Sequence, residues 1–195
     1  MPSPPRWRQA LPVLVTLQAT LGATALVWGL VRDIPWWRAL AVTPEVLAAL
    51  LAGGFLSLAS TGFFQFLARR GFSDVGWVLD GFLGPLFRGL PLSWAIGLSL
   101  LSGFCEEAFF RGILVPEFGL WASSVLFGLL HTGDRRLALM GLWAGLMGLG
   151  MGLAWQITGN LTVPVALHAG CNFLSFVQLA RWMEPAPASD AAPER

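Results

Sequence analysis

The chain of 195 residues contains no lysine and no tyrosine, only two cysteines, and charged residues at 12%. Each shortage excludes something. All twelve basic residues are arginines and the net charge is +1, so there is no basic surface of the kind nucleic acid needs. Cys105 and Cys171 cannot form a disulfide framework and match no CxxC spacing, which leaves them as small packing residues. No HExxH is present, so the usual helical zinc signature is missing. No internal repeat is visible, and an inverted-repeat transporter therefore lacks its best pointer. The absence of tyrosine carries no functional meaning.

What the chain does have is apolar sequence: 55% hydrophobic residues and a mean hydropathy of +0.66, outside the range of soluble domains. The expectation is an all-α, polytopic transmembrane helix bundle with about six spans. A helix crossing a hydrocarbon core of about 30 Å needs about 20 residues. Runs near that length cover 11–31, 45–67, 90–115, 137–158 and 161–182, while a sixth, 117–132, is short enough to stop inside the protein. The first run outlasts the apolar core of a signal peptide and reads as a retained helix. Residues 71–89 mix Asp74, Asp80 and Arg88 with Trp77, Phe82 and Phe87, which suits an interfacial amphipathic helix. Gly141, Gly145, Gly148 and Gly152 form a small-residue ridge open to a neighbouring backbone, within the chain or between chains. Thr158, Gly159 and Asn160 form a turn. Residues 1–184 are expected to be one domain and 185–195, rich in Pro and Ala, a disordered tail.

Trp7, Trp36, Trp37, Trp121 and Trp182 lie near predicted helix ends, where an interfacial belt would place them. With the amino terminus inside, Arg6, Arg8, Arg69, Arg70, Arg88, Arg135 and Arg136 are cytoplasmic against Arg32 and Arg38 outside. Both termini are then cytoplasmic, and the expected location is a bacterial inner membrane.

Few ionisable groups remain at membrane depth: Glu106, Glu107, Arg111, His131 and His168, with the polar Asn172. Such groups are functional suspects because their burial is costly unless a partner or cavity receives them. Glu107 and Arg111 are four apart and can neutralise each other on one helix face. Glu106 has no in-helix cation and must find its partner on another helix. Phe127 and His131 are also four apart, as are His168 and Asn172. At about 1.5 Å per residue, Glu106, His131, His168 and Asn172 fall roughly 10 to 21 Å from the same membrane face, bracketing the midplane. An unpaired carboxylate beside a neutral histidine can deprotonate water, and a second histidine with an amide can stabilise an oxyanion. Alternatively Glu106, His131 and His168 could bind a divalent metal such as zinc with a position left for water. Both schemes end in hydrolysis.

Glu106-Glu107-Ala-Phe-Phe-Arg111 resembles an EExxxR motif, Phe127-Gly-Leu-Leu-His131 an FxxxH motif, and His168-Ala-Gly-Cys-Asn172 an HxxxN motif. In this order, over residues 100–175, the chain resembles the CAAX protease and bacteriocin-processing (ABI) family of intramembrane endopeptidases. The resemblance implies that Glu106 activates water with His131 beside it, that His168 and Asn172 stabilise the oxyanion, and that Glu107, Arg111 and Phe127 support them. It implies a glutamate-dependent peptidase with no required cofactor, or a metalloprotease. The expected substrate is a membrane-associated peptide or protein, met among membrane lipid. Two other classes share the charges: a non-proteolytic immunity factor or scaffold, which has no need of an unpaired Glu106, and a proton or ion carrier, which leaves Asn172 unexplained. Oligomeric state is not fixed by these features.

Overall fold

The computed structural model describes residues 5–182, and among them every regular element is helical. Helix α1 (Arg6–Val31) is followed by a short 3-10 turn at Trp36–Ala39 and by α2 (Pro44–Arg69). Pro44 opens α2 with its fixed φ, Glu45 occupies the first turn and Arg69 the last, all matched to the helix dipole. A run of shorter pieces comes next: α3 (Ser73–Gly76), a π-helical stretch Trp77–Leu83, and α4 (Gly84–Phe87). Then follow α5 (Leu92–Phe109), a π-helical stretch Phe110–Leu114, α6 (Val115–Leu130), α7 (Ala138–Thr158) and α8 (Thr162–Ala180). Five segments are long and apolar enough to cross a membrane: 6–31, 44–69, 92–130, 135–158 and 162–180. The chain is an integral membrane protein. Residues 185–195, expected as a disordered tail, lie outside the described residues.

The third of those segments is two legs, not one rod. Gly119 has φ 85° and ψ 164°, a conformation that essentially only glycine adopts. Ser123 Oγ donates to Phe110 O at 2.8 Å, whereas thirteen residues of straight helix would separate them by about 20 Å. The rings of Phe110 and Phe127 likewise meet at 4.8 Å. The chain doubles back at Gly119, so the first leg continues a few residues beyond the expected boundary at 115. The returning leg from 120 to 130 is only about 16 Å long, too short to cross a hydrocarbon core of about 30 Å.

This hairpin and α7 are joined by the expected glycine ridge, and the joint is within the chain. A Cβ on Gly128 would strike the backbone of Gly141 and Gly145, one on Gly148 would strike Arg111 and Phe127, and one on Gly152 would strike Leu120. Helix α8 is the other hub. Gly53 of α2 abuts the Leu167 carbonyl, and Gly170 abuts that of Leu50. Ser57, Ser175 and Gln178 then link α2 to α8 by hydrogen bonds of 2.8 and 3.1 Å.

The turn after α7 does more than reverse the chain. Gly159 takes a left-handed φ of 64°, and Asn160 exchanges hydrogen bonds with both backbone groups of Ala41 at 3.2 and 2.9 Å. It thereby fastens the α1–α2 connection. At the opposite end, Trp7 packs with Phe87, Leu90, Leu179 and Ala180, so the start of α1 and the end of α8 share one end of the bundle. The tryptophan belt is only partly as expected: Trp121 is exposed, but Trp7 and Trp36 are buried in protein. Trp36 fills the space above Gly112 and donates its indole N–H to Ala25 O.

Candidate active site

Helices α5 and α8 run antiparallel with Gly103 against Val165 O and Ala169 N, close enough for short polar side chains to meet. Two rungs cross the seam. Asn172 Nδ2 donates to Ser102 Oγ at 2.9 Å, and one turn away His168 faces both glutamates. The two rungs are four residues apart on both helices, Ser102 to Glu106 on α5 and His168 to Asn172 on α8, so helical spacing sets their register.

Within the second rung the glutamates divide as their spacing demands. Arg111 Nη1 and His168 Nδ1 both lie 2.8 Å from Glu107 Oε1, and Glu107 and Arg111 are fully buried. The carboxylate oxygen accepts, so Nδ1 carries the proton of the imidazole and the ring is fixed in orientation. Glu106 takes its partner from α1: Gln18 Nε2 donates to Glu106 Oε1 at 2.6 Å. Glu106 Oε2 points toward His168 Nε2 at 3.9 Å, beyond hydrogen-bond range, and accepts no hydrogen bond from the described residues.

Phe127 ties the remaining members together. Its ring lies 4.5 Å from that of His131 and 6.1 Å from that of His168, and the Arg111 guanidinium stands 4.7 Å from its centroid. His131 is exposed at the end of the returning leg, with Nδ1 2.7 Å from Phe127 O; since a carbonyl accepts, that nitrogen is the protonated one.

Phe127, His131, His168 and Asn172 line a cavity of about 260 Å³ whose other walls are largely apolar. Glu106 and Glu107 lie behind His168 and do not line it. Val75, Val78, Leu83 and Phe87 roof it, so the segment expected at an interface also covers the candidate site. Arg136, at the mouth, stacks over Trp77 of that roof at 4.7 Å.

The expected site residues therefore gather as follows. Glu106, Glu107, Arg111 and His168 form one buried cluster, Phe127 packs beside it, Asn172 stands one turn along, and His131 occupies the cavity edge. As metal ligands the fit is poor: among the described residues no three His, Cys, Asp or Glu side chains are grouped to hold one ion. Glu106, His131 and His168 are thus not preassembled as a metal site. Sequence reasoning missed Gln18 and Ser102. The signal for Gln18 was an amide in the middle of an apolar run, and that for Ser102 was its four-residue step to Glu106.

Residues 88–174, which include every one of these motifs, match the family model of the type II CAAX prenyl endopeptidase Rce1-like proteins. Over this segment the chain is similar to that family. Gln18 lies outside the matched residues and Ser102 within them. The chain is similar to the uncharacterized protein YpbD of Bacillus subtilis (strain 168), 38% identical over 83 residues, which is 43% of this chain and 44% of that protein. It is also similar to the uncharacterized protein YyaK of the same organism, 26% identical over 110 residues, 48% of this chain and 37% of the other. The chain thus spans less than half the length of the curated relatives it matches. No solved structure matches it at the same significance.

Proposed function

We propose that the protein is an intramembrane endopeptidase that hydrolyses a peptide bond in a membrane-associated peptide or protein, using water activated by Glu106. One observation carries the reading: the buried, unbonded Glu106 Oε2 facing His168 Nε2 at 3.9 Å. A water 2.8 Å from each atom would subtend an angle of about 90° between them, so the separation is compatible with one water bridging both. A scaffold or immunity factor gains nothing from leaving a carboxylate oxygen in this state, whose desolvation is costly.

On this reading Glu106 Oε2 takes a proton from water as the water oxygen adds to the substrate carbonyl carbon. With Glu107 and Glu106 negative and Arg111 positive, a protonated His168 leaves the four-residue cluster neutral and gives Nε2 a hydrogen to donate. That hydrogen and the Asn172 amide stabilise the developing oxyanion. His131, its Nδ1 held by Phe127 O, stands at the cavity edge, where its ring would orient the substrate amide. Glu106 then passes its proton to the leaving nitrogen, the C–N bond breaks, and an amine and a carboxylic acid result. No step requires a metal.

The apolar cavity beside these groups would receive the side chains of a substrate arriving from lipid. The arginine distribution, with Arg6, Arg8, Arg69, Arg70, Arg88, Arg135 and Arg136 against Arg32 and Arg38, supports a cytoplasmic roofed end. Both ends of the described chain then face the cytoplasm, and we assign the protein to a bacterial inner membrane.

The test is cleavage of a membrane-anchored peptide library by the protein reconstituted in liposomes. Glu106→Gln should fold as wild type and lose about 10²- to 10⁴-fold in rate, the usual contribution of a general base. Undiminished cleavage by that folded variant would remove the proposal. A chelator arm should leave the rate unchanged; its abolition, restored by added zinc, would move the chemistry to a metal.

A further inference from the structure

Helix α1 presents a buried stripe of Gln18, Ala25 and Gly29, with the half-buried Gly22 between them. Gly22 lets α1 approach α5 closely, since a Cβ there would stand 2.9 Å from Cys105 Sγ, while one on Gly29 would meet Trp36 of the following turn at 3.0 Å. Gln18 is the single polar side chain on that stripe, and the close approach brings its amide to Glu106 Oε1 at 2.6 Å, with Gln18 itself 8% exposed. The acceptor is a carboxylate, so the amide is oriented with its N–H₂ toward it.

Each oxygen of Glu106 is thereby given a different environment. Oε1 is held by the Gln18 amide, while Oε2 is left facing His168 Nε2 without a protein hydrogen bond. Without Gln18 the carboxylate is free to rotate about its terminal torsion, a broad and roughly two-fold well, and to exchange or withdraw Oε2. Reactive groups displaced by about 1 Å lose rates of order 10²-fold.

We propose that Gln18 is a positioning residue: from a helix outside the matched domain it fixes the Glu106 carboxylate so that Oε2 is presented to water beside His168. The proposal rests on the reading of Glu106 as the base and extends the working site to α1. A residue that merely joined α1 to α5 would alter melting and not turnover.

The reconstituted cleavage assay separates these roles when kcat, KM and thermal stability are measured together on the full chain. Gln18→Met keeps the side-chain length and apolar volume and removes the donor. It should lower kcat by roughly 10- to 100-fold while KM stays within about two-fold of wild type, as expected when an interaction specific to the transition state is lost. Gln18→Asn keeps the amide one methylene shorter and should give a kcat between the two. Wild-type kcat in folded Gln18→Met, or in folded Gln18→Asn should the Met variant fail to fold, would overturn the proposal. A raised KM at unchanged kcat would overturn it too. Glu106→Gln in the same series keeps the two failures apart. If it is inactive and Gln18→Met is fully active, the positioning role alone falls; if it is fully active, the underlying assignment of Glu106 falls, whatever the Gln18 variants do.

Discussion

His168 Nδ1 donates to Glu107 Oε1 across the α5–α8 seam at 2.8 Å, on the same oxygen that holds Arg111. Glu107 is therefore more than the neutralising partner that its four-residue spacing suggests: it also sets the face that His168 turns toward Glu106. Two effects should follow from Glu107→Ala. Arg111 loses its buried counter-charge, costing about 3–5 kcal/mol, which a thermal melt in detergent would read. The folded fraction should also cleave more slowly because the imidazole has lost its anchor. Wild-type specific activity in that fraction would restrict Glu107 to the ion pair.

Asn172 donates to Ser102 Oγ while lining the cavity one turn from His168. As an oxyanion donor its removal in Asn172→Ala should lower kcat by about 10²- to 10³-fold. Ser102→Ala deletes only the group that orients the amide, so its loss in kcat should be smaller and in the same direction. Equal, small effects in both variants would make the pair a helix contact and nothing further.

How much of this was legible in the sequence follows from the range of each interaction. The Glu107–Arg111 pair is fixed by one helical turn, and the sequence displays it directly. The meeting of His168 with the two glutamates was approachable from depth, since residues of neighbouring spans at one level can touch. The first-span partner of Glu106 was not, because it depends on how closely α1 packs on α5, where Gly22 meets Cys105. The pairing of His131 with Glu106 had the same difficulty: depth gives a level and not an azimuth, and it is His168 that stands 3.9 Å from Glu106 Oε2. The fourth run was legible as a separate, short segment, with its boundary expected at 115–117 and the reversal found at Gly119. The backbone angles of Gly119, not hydropathy, fix where the chain turns.

Gly119 makes that turn at φ 85° and ψ 164°, and no atom stands within 4 Å of where its Cβ would be. Space is therefore not the constraint; backbone conformation is. Gly119→Ala should destabilise the fold by about 1–3 kcal/mol, the usual cost of a residue held in a sparsely populated region. Gly97 is the control, lying inside α5 with equally open surroundings and ordinary helical angles. Gly97→Ala should be neutral or stabilising by up to about 1 kcal/mol. Similar melting shifts in both variants would argue against a hairpin at Gly119.

Gly148 tests the other constraint, because there the backbone is helical and the neighbour is the site itself. A Cβ at Gly148 would stand 2.8 Å from Arg111 Nη2 and 3.3 Å from Phe127 Cδ1. Both partners are buried, and the guanidinium is already held by Glu107, so neither can withdraw without disturbing the cluster. Gly148→Val should cost about 1–3 kcal/mol through overpacking. It should also lower cleavage in the folded fraction, since displaced Arg111 carries Glu107 and then His168 with it. Gly150, two residues along the same helix, meets nothing within 4 Å, and Gly150→Val should leave cleavage unchanged. A Gly148 variant that melts early yet cleaves normally once folded would show that strain on Arg111 is absorbed before it reaches His168.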